Sequence, residues 1–362
     1  MIEFLLCQIN SKIIKKIHIM KSIKIYLSIL FTALLFASCE KEIEFKGEIT
    51  DPLIVVNSYI TPDSIISAHI SESRFFLRDS VSFKNLENAD VAVWVNGVYK
   101  EKMIHIENGT YKGTHIPSIG EIIKLVVKVP NKKDVYCEAK IESQPVIVSI
   151  DTANIWTGER YSTSTYGYST NNGPTVWKTD TMAIIKGNQI NYTLKFKDNP
   201  NERNYYRLLV VIKEYYKVFD INKKDSTIRI TDNYNFNFTD VVSGNNSNSD
   251  PLDFGSGSYN EYNVFSDDLI NGKEYPLSFS TNEDVYVYFP KYDYGQTTPV
   301  KKIVNIYLQS ISKDYYMYLK SRSAAMAGTD FFSEQVQIHN NIVGGIGILG
   351  SYTISNVVKV EL

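Results

Sequence analysis

The chain has 362 residues, of which 43% are apolar and 22% charged, a globular composition rather than a disordered or fibrous one. Five lysines and one glutamate precede Cys39, so the rest carries 33 basic against 39 acidic residues, a net charge of −6. That balance argues against a dedicated nucleic-acid binder, which would carry a basic stripe, and the lack of any run of twenty apolar residues argues against a polytopic membrane protein.

From Met20 the sequence places Lys21 and Lys24 ahead of an apolar stretch from Ile25 to Ala37. A basic segment followed by an apolar core too short to stay in a bilayer is the pattern of a secretory signal. Residues 1–19 add a second basic and apolar stretch with no assignable role, so Met20 reads as the true start. The core ends at Phe36-Ala37-Ser38-Cys39, two small residues before a cysteine, where lipoprotein-processing enzymes cut and acylate the thiol. Cys39 is therefore expected to be the lipidated first residue of the mature chain. Residues 39–50 then form a charged tether. Within it Lys41 and Glu42 resemble the signal that sends lipoproteins of Bacteroidota to the outer face of the outer membrane, with a plain solvated tether as the alternative. Beyond Cys39 only Cys137 remains, so no disulfide framework is expected, and the alternation around Cys137 makes it a buried small hydrophobe.

Residues 51–146 read as an immunoglobulin-like β-sandwich of seven or eight short strands. The runs are 53–60, 64–71, 91–95, 98–100, 103–106, 110–114, 122–129 and 135–141, with Asn96-Gly97 and Asn108-Gly109 supplying the positive φ angles of tight hairpins. Pro145 marks a boundary, and residues 147–362 read as a larger β-rich domain. Its strands are expected at 193–196, 205–219, 226–232, 274–280, 285–289 and 303–310, with residues 156–176 and the Asn/Ser/Gly-rich stretch 237–263 left as long loops. One helix is predicted near residues 312–327, capped by Ser312 and ended by Gly328. The fold class is all-β.

Local chemical signatures are mostly absent. Gly345-Ile346-Gly347-Ile348-Leu349-Gly350 matches G-x-G-x-x-G, but a terminal strand follows it instead of a helix, so it reads as a glycine-rich bulge or strand crossing and not a dinucleotide site. His69, His105, His115 and His339 lack metal-ligand spacing, although His105 and His115 could meet across a hairpin. No G-x-S-x-G elbow occurs, and a calcium loop from Asn245 would lack its glycine and its final glutamate. Asp250, Asp253, Asp267 and Asp268 are carboxylates without a readable pairing, and Asp267-Asp268 suits a turn. No catalytic residue, metal or cofactor is expected.

Two features point toward binding and modification. Tyrosines recur in clusters, and those assigned to loops, Tyr161, Tyr166, Tyr168, Tyr259 and Tyr262, are the candidate contacts to a glycan, peptide or protein partner; elsewhere tyrosine is good strand material. Asp followed by Ser or Thr recurs at Ser64, Ser80, Thr152, Thr181 and Ser226, a pattern similar to the O-glycosylation acceptor of exported Bacteroidota proteins, with turn chemistry as the alternative.

The Ser-Cys-Glu-Lys leader, the strand at 52–60, the Ala-Asp-Val-Ala-Val-Trp hairpin, Asn-Tyr-Tyr-Arg-Leu at 204–208, Asp267-Asp268 before Asn-Gly-Lys, residues 312–319 and the glycine-rich close together resemble one family, the Bacteroidota lipoproteins called domain of unknown function 4249. The resemblance spans nearly all of the mature chain, though the usual Phe-Gly near the end is Leu349-Gly350 here. It implies an outer-membrane lipoprotein, often encoded beside a TonB-dependent receptor, with no established activity and no catalytic residues to transfer. The expected function is a non-enzymatic binding or accessory subunit of a TonB-dependent uptake system, lipid-anchored at the cell surface. The competing expectation is a surface hydrolase or adhesin acting on glycan or peptide polymers.

Overall fold

The computed structural model describes residues 51–74, 83–169, 173–220, 225–243, 260–289, 299–327 and 336–362. Cys39, Lys41, Glu42, Ser80, Tyr259, Asp250 and Asp253 lie outside them. The first eight strands are β1 (Ile54–Ile60), β2 (Ser67–Glu72), β3 (Asp90–Val95), β4 (Val98–Lys102), β5 (Ile104–Glu107), β6 (Thr110–Lys112), β7 (Ile122–Lys128) and β8 (Val135–Lys140). They form two sheets, β1-β2-β6-β5 and β4-β3-β7-β8, which is the immunoglobulin strand order with a fourth strand beside the second sheet. Period-2 alternation aims one face of each sheet inward: Val91, Val93, Ile123, Leu125 and Val127 meet Val56, Ile66, Ala68 and Ile70. The turn asparagines behave as their sequence requires, with Asn96 and Asn108 both at positive φ. Cys137 lies inside this core, and burial pushes its thiol up to about 12, which leaves it unreactive in the folded chain.

The second half comprises β9 (Val146–Tyr168), β10 (Val176–Lys197), β11 (Tyr205–Asp220), β12 (Asp225–Asn233), β13 (Val264–Ser266), β14 (Glu274–Asn282), β15 (Val285–Tyr288), β16 (Lys301–Ile311), the helix α1 (Lys313–Ala327), β17 (Ile346–Ile354) and β18 (Val358–Glu361). A sheet of β9, β10, β14 and β15 faces one built from β11, β12, β13, β16 and β18. Between them Tyr192, Leu194, Phe196, Leu277 and Phe279 pack on Tyr206, Leu208, Val210, Ile306 and Leu308. The rings of Tyr192 and Phe279 stack 4.8 Å apart. Helix α1 covers the opposite face of the second sheet through Tyr315 and Leu319. Ser312 stands before its first turn, but its hydroxyl accepts from the Ser351 amide at 3.1 Å and so ties the helix to β17.

A boundary near residue 146 separates the two cores along the first part of the chain, yet the carboxyl end crosses it. Residues Val55–Ile60 of β1 pair in parallel with Ile346–Ser351 of β17, and the last turn of the same strand pairs with β16. One ten-stranded sheet therefore passes through both sandwiches, and Leu349 belongs to the first core. Side chains reinforce the joint: Thr353 Oγ1 donates to Ser143 O at 3.0 Å, Gln144 Nε2 donates to Ile354 O at 2.6 Å, and Lys140 bridges Glu142 and Glu202. This explains the glycine run. A Cβ on Gly345 would come within 2.5 Å of Ile54 O, one on Gly350 within 2.8 Å of the Tyr315 ring, and Gly347 has φ +121° with its Cα against the β1 backbone at Val56. The reading as a strand crossing agrees with this geometry.

Glu72 at the end of β2 joins two lysines from other parts of the first sandwich. Glu72 pairs with Lys84 at 3.3 Å and Lys132 at 3.2 Å. Burial by itself would raise its pKa, but the hydrogen bonds and charges of the two lysines outweigh burial and hold the carboxyl below 4.5. A carboxyl depressed in the folded state stabilises fully above its unfolded pKa and loses that contribution as pH falls through the folded one. We therefore expect Glu72→Gln to be less stable than the parent near neutrality and to converge with it as pH falls through the depressed folded-state pKa of Glu72, read from urea midpoints across pH.

Candidate functional site

The largest departure from the sequence reading is at residues 156–176. Expected as a loop, this stretch is mostly strand: β9 and β10 pair from Val146↔Lys197 to Tyr168↔Val176. The serines, threonines and glycines suggested a turn-rich segment, but Thr, Tyr, Trp and Val are strong strand formers and they pair across the ribbon. Thr165 and Thr179 hydroxyls meet at 2.8 Å, and Tyr166 donates to Asp180 at 3.2 Å. The stretch 237–263 keeps its loop character where described, with a short 3-10 turn at Val241–Ser243 and one bridge from Asn237 to Ser280.

Strand β15 covers β10 only from Ala183 to Lys186. Beyond it the hairpin continues as a two-stranded ribbon whose side chains face solvent. Cross-strand register assigns its faces: Tyr166 and Tyr168 share one with Val176 and Lys178, while Trp177 lies over Gly167 on the other, which also carries Tyr161. Trp177 is 70% exposed, Tyr161 66% and Trp156 59%. Large apolar rings held in water by a paired backbone form a contact surface on a rigid stalk. The outer edge of β9 pairs with no described strand, so a row of backbone donors and acceptors runs beside these rings. Three of the five tyrosines selected from sequence thus share one element. Trp156, Val176 and Trp177 were missed; the alternation Tyr166-x-Tyr168 opposite Val176-x-Lys178 is the period-2 signal that could have found them.

Tyr262 stands apart. Its hydroxyl lies 3.7 Å from Met326 Sδ of α1, and the guanidiniums of Arg207 and Arg322 lie 5.8 and 5.6 Å from its ring centre. Of the acceptor serines and threonines, Ser64 is an exposed turn residue, Thr152 and Thr181 are exposed on β9 and β10, and Ser226 is half-buried on β12.

His105, His115, Asp267, Asp268 and His339 are engaged in local structure. His105 and His115 do not meet: His105 Nε2 accepts from the Gly109 amide at 3.3 Å, and His115 Nε2 faces Glu121 at 2.9 Å. Asp267 accepts from the Asn204 amide at 2.8 Å and Asp268 pairs with Arg203, which is turn chemistry as expected. His339 Nε2 lies 2.8 Å from Asp314 beside an open cavity of about 620 Å³ under α1. The nearby Ser321 hydroxyl already donates to Tyr318 O at 3.0 Å and accepts from the His339 amide, so the imidazole does not address it. Among the described residues no group of three His, Cys, Asp or Glu side chains could hold a metal ion, and no helix is long and apolar enough to cross a membrane.

The fold and this surface define an all-β protein of two sandwiches joined by a shared strand, with a projecting aromatic hairpin as its candidate contact site. The chain belongs to the family described as domain of unknown function (DUF4249), whose model matches residues 40–356. No curated protein and no solved structure matches it.

Proposed function

We propose that the chain is a lipid-anchored outer-membrane protein, acylated at Cys39 and carried to the cell surface by the Lys41–Glu42 signal, that serves as a non-enzymatic subunit of a TonB-dependent uptake system. The observation that carries this reading is the β9–β10 ribbon, which offers Tyr161, Tyr166, Tyr168, Trp156 and Trp177 together with a strand edge that pairs with no described strand. Aromatic anchors on a rigid scaffold supply binding energy at low entropic cost, and an open edge can accept a partner strand. A surface lipoprotein has no access to ATP, so uptake energy comes from the membrane-spanning partner it docks on. Exposed Ser64, Thr152 and Thr181 leave room for O-glycans, with Ser226 and Ser80 as further acceptors.

Affinity purification of the full chain from native membranes is expected to recover a β-barrel receptor. A variant with residues 162–181 replaced by a short turn should lose it while keeping its unfolding midpoint. Recovery of the lipoprotein alone, with turnover of a glycan or peptide library, would favour a surface hydrolase instead.

A further inference from the structure

We propose that the solvent face of the β4-β3-β7-β8 sheet is a binding platform for an uncharged glycan, built on Trp94, Tyr99 and Tyr136. Alternation along these strands turns Val93, Leu125 and Cys137 into the first core and their neighbours outward. Cross-strand register sets Tyr99, Trp94, Lys124 and Glu138 side by side in one outward row, and Lys102, Ala92, Val126 and Tyr136 in the next. Each row crosses four strands, a span of about 14 Å at ordinary strand spacing. The short side chains of Ala92 and Val126 lower the second row between Trp94 and Lys124 on one side and the facing pair Asp90 and Lys128 on the other, so a shallow trough runs across the sheet to Tyr136.

The rings are held in place yet open to solvent. Trp94 and Tyr99 meet edge to face, 5.8 Å apart at 82°, and make a corner at one end of the first row. Lys124 Nζ lies 4.6 Å from the centre of the Tyr136 ring and supports it from one side. Tyr99 is 53% exposed and Tyr136 42%. The polar tips of all three are unused: the Trp94 indole N–H and the hydroxyls of Tyr99 and Tyr136 bond to no described residue. By contrast Tyr111, Tyr206 and Tyr275 donate their hydroxyls to Leu86 O, Asp198 and Asp240. Flat ring faces beside free donors match the C–H faces and hydroxyl rims of sugar rings.

Charge independently selects a neutral occupant. Each lysine that the register sets on this face meets a carboxylate: Lys102 with Asp90 at 3.2 Å, Lys124 with Glu138 at 3.1 Å, Lys128 with Asp134 at 3.4 Å, and Lys140 with Glu142 at 3.3 Å. A polyanion finds no unpaired cation there. A protein partner closing over the face would strip water from these ion pairs, a cost that their attraction does not repay, and it would meet few aliphatic anchors. Sugar hydroxyls both donate and accept, so they can bond the carboxylates and ammonium groups in place of water and leave each pair intact.

Native electrophoresis of the full chain in detergent, through gels that contain glucomannan, arabinoxylan, laminarin, starch or polygalacturonate, tests this. At least one of the four neutral polymers should retard the protein, and the acidic one should not. Tyr99→Ala and Tyr136→Ala, both at exposed positions, should each weaken the retardation roughly tenfold without moving the unfolding midpoint. Trp94→Phe, which keeps a ring and lacks the N–H, should retain more binding than Trp94→Ala. Tyr234→Ala, which removes a tyrosine 65% exposed elsewhere, should behave as the parent. No retardation by any neutral polymer, equal retardation by polygalacturonate, parental behaviour in both Tyr99→Ala and Tyr136→Ala, or equal weakening in Tyr234→Ala would each overturn the proposal.

Discussion

Gly347→Val is expected to prevent the chain from folding. Gly347 lies in the parallel pairing of β17 with β1, opposite Val56, at φ +121°. A Cβ there would overlap the Val56 carbonyl, a backbone atom and not a side chain that could turn aside. Nor can β1 retreat, because β2 pairs with its other edge through Ile54–Asn57. The only relief is to separate β1 from β17, which removes Leu349 from the first core and the continuity of the sheet between sandwiches. Loss of that joint, with the backbone strain, amounts to at least about 4 kcal/mol, a large part of the stability of an ordinary domain. Gly97→Ala is the control: φ is also positive, at +80°, but no atom lies near the added methyl, so a cost of about 1 kcal/mol is expected. Denaturant midpoints of the two variants decide the matter. A Gly347→Val protein with a parental midpoint would show that the crossing is not built as described.

Cys39→Ala is expected to move the protein from the membrane fraction to the soluble one and to abolish labelling by a fatty-acid probe. The short apolar core from Ile25 to Ala37 ends in Ala37-Ser38-Cys39, the pattern at which a lipoprotein signal is cut and its cysteine acylated. In the proposed reading, attachment depends on the acyl chains at one thiol. Cys137 cannot substitute for it, being buried with its thiol pushed up to about 12. Equal labelling of parent and variant would remove the anchor from the account.

Much of the first sandwich was legible because its elements obey local rules. Asn-Gly pairs fix hairpins, alternation fixes the inward face, and both act over a few residues; β3 and β4 lie within two residues of their expected bounds. Helix α1 was legible from its spacing and from the start of its run after Ser312. What could not be read was non-local. Nothing in Ile346–Ile354 says that its partner is β1, almost three hundred residues earlier in the chain, although the three glycines recorded how closely the backbones approach. The β9–β10 ribbon was missed for a different reason. Its distal strands bury no face, so polar and small residues occupy both sides and the composition imitates a loop. Of the tyrosines chosen as loop contacts, Tyr161, Tyr166 and Tyr168 gain their exposure from a projecting strand instead, whereas Tyr262 packs against α1 with two guanidiniums 5.8 and 5.6 Å from its ring centre.

In the proposed reading the ribbon meets a membrane-spanning partner. Photo-crosslinking in living cells would detect that contact, with a photoreactive residue placed singly at Trp177, Tyr166 and, as a remote control, Tyr99 on β4, which is also exposed. The account predicts a crosslinked adduct with one β-barrel outer-membrane protein from positions 177 and 166 and none from 99. Adducts of equal yield from all three, or none from the ribbon while the protein remains surface-exposed and folded, would contradict it.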